Sequence, residues 1–255
     1  MNSLFKRVLF SVLNVFAPNL KERASILMYH SISERKEYFS AVSPEEFNRQ
    51  MAYLAGKKHS VISLAELVRR LGARESLRGA VVLTFDDGYR DNYTTVFPLL
   101  AQYGFPATIF VTTDRIGSPG YCSAAELREM QDSGLIAIEP HTLSHPKLAK
   151  LPRAEAAREV CESRQALQEI LGTLPTLFAY PYGSFTEETV ELVREAGFLG
   201  AVTVKEGTVS TDTDVFHLPR NSVDSSTTFS QFRGKVSRAV DWYVTCKNLF
   251  SYAEK

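Results

Sequence analysis

The chain has 255 residues, and its 29 basic and 29 acidic side chains cancel. A neutral chain gives no electrostatic reason to bind a polyanion, so the composition argues against a nucleic-acid partner. Cys122, Cys161 and Cys246 are far apart and odd in number. They therefore exclude a disulfide framework and a Cys-x-x-Cys metal site, and they fit a reducing compartment. No low-complexity run or Pro/Gly/Ser-rich linker divides the chain, which favours one main domain.

The first 20 residues form a basic and apolar segment ahead of the main domain predicted over residues 21–255. Lys6 and Arg7 precede a mainly apolar stretch that ends near Phe16 and is too short to span a bilayer. An amphipathic helix on a membrane surface, a helix packed on the domain and a signal peptide all remain open, although no small-x-small cleavage site is evident. The first interpretation predicts peripheral membrane contact through residues 1–20. It also predicts a cytoplasmic or inner-membrane-associated protein rather than a periplasmic one.

Strand-like and helical segments alternate along the chain from residue 25 onward. Apolar and β-branched runs predict strands at 25–29, 59–62, 80–85, 107–112, 135–138, 177–180 and 199–204, with a further strand-like run at 215–218. Apolar stripes at helical spacing predict a helix that begins after Ser43 and others at 64–71, 93–103, 123–132, 153–171, 186–196 and 228–245. Such alternation is typical of parallel strands covered by helices.

The predicted fold is α/β, a distorted (β/α) barrel of about seven parallel strands. A barrel brings the residues at the carboxyl ends of its strands to one mouth. The alternative is an open doubly wound sheet, but no Gly-x-Gly-x-x-Gly motif follows the early strands. Charged side chains also follow several strands rather than the two that border one crevice, and this favours the barrel.

Two polar motifs stand directly after predicted strands. Thr84-Phe85-Asp86-Asp87-Gly88 ends the third strand, and His141-Thr142-Leu143-Ser144-His145 follows the fifth. Taken alone, Asp-Asp-Gly is a common turn sequence, and most histidine pairs at this spacing are exposed helix residues. At one barrel mouth, however, two carboxylates and two imidazoles would supply a metal site and a base. The pattern predicts a metallohydrolase.

Tyr180-Pro181-Tyr182-Gly183 and an early Leu27-Met28-Tyr29-His30 add two further motifs. In order and spacing, the four motifs resemble the polysaccharide deacetylase family, carbohydrate esterase family four, over roughly residues 26–220. The resemblance implies a distorted barrel, removal of N- or O-linked acetyl groups from sugars, and a divalent metal ion. Zinc is favoured, and cobalt, nickel, manganese and iron stay open because an Asp-His-His set serves several ions.

Residue by residue, the resemblance implies that Asp87, His141 and His145 bind the ion. Asp86, beside the ion, would be the base that takes a proton from metal-activated water. The backbone N–H of Tyr182 would stabilise the oxyanion. The alternative role for Asp86 is a carboxylate that caps a turn. The alternative for Tyr180-Pro181-Tyr182-Gly183 is an ordinary Pro-Tyr-Gly turn.

Two departures from the family pattern leave roles open. The late Leu-x-His motif is missing and no histidine follows Arg220, so His30 is the candidate acid for the leaving amine, with a structural histidine as the alternative. The resemblance is to a branch that has such an early histidine and acts on exported poly-N-acetylglucosamine. Ala179 stands where many members carry an arginine that orients the base. Arg220 could replace that arginine by holding Asp86 ionised, or it could form an ordinary ion pair.

The leading hypothesis is a metal-dependent hydrolase that removes N-acetyl or O-acetyl groups from a sugar. Its substrate would be an acetylated glycan or a glycan-lipid precursor. One alternative is a hydrolase of a small cyclic amide or imide that uses the same site in a narrower pocket. Another is a glycan-binding protein without turnover, which the presence of all three ligands and the base disfavours. The sequence predicts neither the identity of the sugar nor the oligomeric state.

Overall fold

The computed structural model of the protein describes residues 22–34, 40–237 and 239–245. The segment predicted over residues 1–20 lies outside the described residues, and so does Cys246. Cys122 is buried and Cys161 is exposed, and both are free thiols. In the part of the chain that the structure describes, no helix is both long enough and apolar enough to cross a membrane.

Short parallel strands build the framework of the described chain. They are β1 (Ser25–Tyr29), β2 (Ser60–Val61), β3 (Ala80–Phe85), β4 (Ala107–Val111), β5 (Ile136–Pro140), β6 (Leu177–Ala179), β7 (Gly200–Val202) and β8 (Asn221–Ser222). One sheet has the order β5-β4-β3-β1-β8, and β2 pairs with the start of β3. β6 and β7 form a second parallel ladder, which a bridge from Val202 to Leu218 extends. The predicted α/β barrel architecture is confirmed.

Helices connect the strands on the outside. They are α1 (Pro44–Gly56), α2 (Leu64–Gly72), α3 (Phe97–Tyr103), α4 (Ala124–Asp132), α5 (Arg153–Leu171), α6 (Glu187–Glu195) and α7 (Phe229–Lys235). Side-chain caps set where several of them begin. The hydroxyl of Ser123 accepts a hydrogen bond from the Glu126 N–H, and the Glu126 carboxylate accepts one from the Ser123 N–H, which completes a capping box for α4.

The helix predicted over residues 93–103 has a different first turn. It begins as a π-helix, Asn92–Val96, and continues into α3. Pro98 has no N–H to bond to the carbonyl four residues before it, and the N–H of Phe97 bonds to the carbonyl of Asn92, five residues before it. The proline that follows this turn therefore does not end the helix.

Two predictions near the carboxyl end of the chain were wrong. The strand-like run at 215–218 is a turn, because the Asp214 carboxylate accepts a hydrogen bond from the Phe216 N–H, and within the run the bridge to β7 forms at Leu218. The helix predicted over 228–245 stops after Lys235, and residues 239–245 are helical again. β8, which was not predicted, instead pairs with β1 and completes this side of the sheet.

Alternate residues of the central strands pack into two different cores. Leu27 and Leu83 face the outer helices, whereas Ile26 and Val82 face an interior cluster that includes Phe110. Because both faces of these strands are buried, their ends are held firmly on both sides. The loops at the carboxyl ends of the strands therefore start from fixed positions.

Candidate active site

The loops after β1, β3, β5 and β6 meet at one cavity of about 340 Å³. The residues predicted from the sequence that line this cavity are His30, Asp86, Asp87, His141, His145 and Tyr182. Arg220, which was also predicted, lies fully buried behind Asp86. The structure thus brings the motifs of four separate loops into one site.

Asp87, His141 and His145 form a compact cluster in which the potential ligand atoms all lie within 4.8 Å of one another. Nε2 of His145 is 3.4 Å from Oδ1 of Asp87 and 3.2 Å from Nε2 of His141. Nδ1 of His141 lies 2.8 Å from the carbonyl oxygen of Ala179. A carbonyl oxygen can only accept, so Nδ1 carries the proton and Nε2 keeps its lone pair for a metal ion.

Both imidazoles of the cluster are held in the neutral form that binds metals. Burial lowers the pKa of His141, although the carboxylates of Asp86 and Asp87 oppose this effect. Burial, followed by the neighbouring His141, lowers the pKa of His145 to about 4. One carboxylate and two neutral imidazoles are a donor set that suits zinc and related divalent ions.

Left-handed backbone conformations concentrate at this cluster. Asp87, Thr142, His145 and Tyr182 have φ values of 75°, 66°, 68° and 58°. This region costs a residue with a Cβ atom on the order of 1 kcal/mol, so surrounding contacts must hold it. Glu159 in α5 does so for the histidine loop, because its carboxylate accepts hydrogen bonds from residues 143 and 144. Strain held in this way is typical of a functional site.

Asp86 forms a bidentate ion pair with Arg220, with both N–O distances at 2.7 Å. Arg220 also donates to the hydroxyl of Thr84 and to the carbonyl of Thr203. Burial would raise the pKa of Asp86, but the charge of the adjacent Arg220 outweighs burial and lowers this pKa to about 2. Asp86 is therefore ionised at neutral pH and fixed in orientation, as a proton acceptor must be.

Comparison with known proteins identifies the family. A sequence model of the polysaccharide deacetylase family matches residues 73–201. YxkH from Bacillus subtilis strain 168 is 32% identical over 208 residues, which cover 81% of this chain and 74% of YxkH. The chain belongs to the polysaccharide deacetylase family.

Two further deacetylases extend the comparison. The poly-β-1,6-N-acetyl-D-glucosamine N-deacetylase of Staphylococcus epidermidis is 27% identical over 200 residues, which cover 73% of this chain and 68% of that enzyme. The Streptococcus pyogenes deacetylase PplD, solved in complex with acetate, superposes with a TM-score of 0.78 at 26% identity. The superposition covers 84% of this chain and 98% of PplD.

In this deacetylase, His30 lies at the mouth directly after β1. It is close enough to Asp86 to contribute to the lowering of the Asp86 pKa, although less than Arg220 does. Its Nδ1 is buried and has no hydrogen-bond partner among the described residues. The other two histidines of the chain, His59 and His217, do not line the cavity. The role of His30 as the acid stays a prediction.

Tyr182 presents a free backbone N–H at the mouth of the deacetylase. No residue of the described ranges accepts a hydrogen bond from this N–H, and the left-handed φ of Tyr182 turns the loop sharply. Tyr182 as a whole is 58% exposed, and its ring packs edge-on against His145, with the ring centroids 4.6 Å apart. A free N–H beside the Asp87, His141 and His145 cluster suits the stabilisation of an oxyanion.

Gly183→Ala should impair turnover more than Tyr182→Ala does. Gly183 has a φ of 61°, and a Cβ atom there would overlap the side chain of Val204, so the loop and the Tyr182 N–H must shift. Tyr182→Ala removes the ring but keeps the N–H. We expect kcat for an acetylated oligosaccharide to fall at least about ten-fold in Gly183→Ala and to change less in Tyr182→Ala. Steady-state kinetics would contradict the backbone role if the order of the two variants were reversed.

Glu139 links β5 to β6 through its side chain. In the described part of the chain, these two strands are not paired through their backbones. One oxygen of its carboxylate accepts hydrogen bonds of 2.9 Å from the N–H groups of both Thr176 and Leu177. This contact holds β6, whose Ala179 carbonyl orients His141. The predicted strand ended at residue 138, whereas β5 runs to residue 140 and contains Glu139. An acidic residue inside an apolar strand is the sequence feature that could have indicated a structural role for Glu139.

Glu139→Ala should destabilise the fold by about 2–5 kcal/mol, because two buried N–H groups lose their acceptor. Glu139→Gln keeps an oxygen acceptor of the same size and should stay within about 1 kcal/mol of the parent. Urea unfolding of the three proteins measures both values. Equal losses in the two variants would show that the hydrogen bonds to β6 are not what Glu139 contributes.

The pH dependence of stability gives a second test of Glu139. Burial raises its pKa from 4.5 to about 7, although the two N–H groups oppose this shift. A raised native pKa gives stability that is fully present below pH 4.5 and is lost as the pH rises through about 7. Since glutamine does not titrate, the parent should lose stability relative to Glu139→Gln between about pH 5 and pH 8. A difference that does not vary with pH would contradict this assignment.

A tyrosine pair that the sequence analysis missed forms another wall of the cavity. The rings of Tyr89 and Tyr121 stack with their centroids 5.2 Å apart, and Arg115 donates a hydrogen bond to the Tyr121 hydroxyl. Burial, followed by the charge of Asp87, raises the pKa of Tyr89 well above its ordinary value. Tyr89 follows the Asp-Asp-Gly motif directly, so its position could have indicated it. Arg115 and Tyr121 lie in the loop after β4, where no sequence motif indicates them.

Proposed function

We propose that this carbohydrate deacetylase is metal-dependent and removes the acetyl group from an N-acetylated sugar of a glycan. The observation that carries the proposal is the Asp87, His141 and His145 cluster beside the ionised, Arg220-bound Asp86 in one open cavity. The N-acetylglucosamine polymer in the name of the Staphylococcus epidermidis relative supports an N-acetylated substrate. Removal of O-acetyl groups remains the alternative within the same chemistry.

Asp87, His141 and His145 would hold the ion, with zinc favoured and cobalt, nickel, manganese and iron as alternatives. A divalent ion bound there would lower the pKa of water and polarise the acetyl carbonyl. Asp86 accepts the proton of the attacking water, and the Tyr182 N–H stabilises the negative charge that develops on the carbonyl oxygen. A proton must also reach the leaving nitrogen as the C–N bond breaks, which releases acetate and a free amine.

The openness of the mouth favours a glycan over a small cyclic amide. Tyr182 and Val204 line the cavity and are 58% and 39% exposed, which leaves room for a chain that continues beyond the reacting sugar. A binding protein without turnover would not need a base held ionised by a buried arginine. Contact of residues 1–20 with a membrane stays a prediction, and so does the cytoplasmic or inner-membrane-associated location of the protein.

Acetate release from N-acetylated hexosamine oligomers tests the proposed function. The protein as purified should release acetate, lose this activity after treatment with a chelator, and regain it when zinc, cobalt or nickel is added. Release that the chelator leaves unchanged would contradict metal dependence. Turnover of a cyclic imide without any release from the oligomers would favour the alternative substrate class instead.

A further inference from the structure

The three residues that follow β1 are held by two residues at the start of the helix after β3. Asn92 donates a hydrogen bond of 3.0 Å from its side-chain amide to the carbonyl of His30. The carboxylate of Asp91 accepts bonds of 2.6 Å from the Ser31 hydroxyl and 3.0 Å from the Ile32 N–H. Asn92 also donates to Asp91, at 3.1 Å, so the two side chains act together. We call Asp91 and Asn92 the β1 clamp.

The β1 clamp matters because it holds the segment of His30 through its backbone. Nδ1 of the His30 ring is buried without a hydrogen-bond partner in the described ranges. The ring position therefore depends on where the backbone of residues 30–32 lies. Asn92 is fully buried and starts the π-helix, a wide turn that often occurs at functional sites.

The β1 clamp lies at the start of the helix that follows the loop of Asp86 and Asp87. Asp86 itself is joined to the end of β1, because its N–H donates to the carbonyl of Tyr29 at 2.9 Å. The segment from residue 86 to residue 92 thus contacts the end of β1 at both of its own ends. Hydrogen bonds at two places therefore join the segment of the carboxylates to the segment of His30.

We infer that Asp91 and Asn92 are positioning residues that set the place of His30 relative to Asp86, and so align the proton donor with the proton acceptor. The inference rests on the proposed function and gives His30 the transfer of a proton to the leaving amine. Protonated His30 gives this proton to the nitrogen as the C–N bond breaks and becomes neutral. Asp86 holds the proton taken from water, and solvent restores both groups.

Two substrates separate this role from a structural one. An N-acetylated hexosamine oligomer needs protonation of its amine, whereas 4-nitrophenyl acetate has a leaving group that departs as an anion. Asp91→Ala should lower kcat for the oligomer about 10–100-fold and leave turnover of the ester within about three-fold. Asp91→Asn keeps an acceptor for the Ile32 N–H and should restore most of the lost activity. His30→Ala should show the same difference between substrates. The double variant His30→Ala/Asp91→Ala should have a kcat for the oligomer little lower than that of His30→Ala.

Asp214→Ala is the matched control. Asp214 also accepts hydrogen bonds within a turn, from the Phe216 N–H and from Nδ1 of His217, but it does not line the cavity. It should change neither rate. A resonance of the His30 ring in a ¹H–¹⁵N spectrum should shift in Asp91→Ala and stay in place in Asp214→Ala. An unchanged resonance, or an equal loss on both substrates, would overturn the inference. Failure of the proposed function would appear in the parent protein, as no acetate release from the oligomer.

Discussion

Asp86→Asn should lower kcat for deacetylation by about 10²–10⁴-fold while the protein stays folded. The amide has the shape of the carboxylate and can still accept one hydrogen bond from Arg220, but it cannot take a proton from water. Asp86 is not a member of the Asp-His-His cluster, so the variant should bind metal as the parent does. Acetate release and metal content, measured on the same preparation, check both expectations.

The two measurements on Asp86→Asn distinguish two roles. Lost activity with metal retained would identify a base. If the metal were lost together with the activity, Asp86 would be a ligand. More than about a tenth of the parent activity would contradict the assignment of Asp86 as the general base, since such a base contributes at least about 10²-fold.

Arg220→Met should reduce the free energy of unfolding by about 3–5 kcal/mol, because it leaves the buried Asp86 charge without its partner. The guanidinium of Arg220 is fully buried and donates hydrogen bonds to Asp86, Thr84 and Thr203. Methionine fills similar space but supplies no donor. Activity should fall as well, since the orientation of Asp86 depends on this pair. Urea unfolding gives the loss of stability.

Arg69 supplies a matched control for Arg220→Met. It reaches the carboxylates of Glu66 and Glu75 at the same N–O distance of 2.7 Å, but its side chain is 54% exposed. Water screens such a pair, so Arg69→Met should reduce the stability far less than Arg220→Met does. Comparable losses in the two variants would mean that burial does not decide the strength of the Arg220 pair. The double variant Asp86→Asn/Arg220→Met should lose less stability than the sum of the single variants.

The sequence predicts the central strands well because apolar and β-branched runs are typical of strands that are buried on both faces. The predicted bounds at 25–29 and 80–85 coincide with β1 and β3, where every residue is buried. The parallel arrangement then places the residues after these strands at one mouth. This is why Asp87, His141 and His145 could be expected to converge before any distance was known. The family and the barrel architecture are confirmed, whereas the catalytic roles stay predictions.

The remaining features depend on contacts between distant parts of the chain. Glu139 meets Thr176 across 37 residues, and Arg220 meets Asp86 across 134, and no local pattern encodes either contact. The sequence left Arg220 with two interpretations, and the structure places it on Asp86 without testing its role in catalysis. The π-helix at Asn92 also escaped prediction, since helical periodicity alone does not distinguish it from an α-helix.

Metal content is the most direct test of the site, and mass spectrometry of the purified protein and of His141→Ala measures it. His217→Ala is the matched control, because His217 lies outside the cavity and bonds to Asp214. We predict close to one divalent ion per chain in the parent and in His217→Ala, and almost none in His141→Ala. No bound ion in the parent, even after reconstitution with zinc, cobalt or nickel, would contradict the assignment of Asp87, His141 and His145 as a metal site.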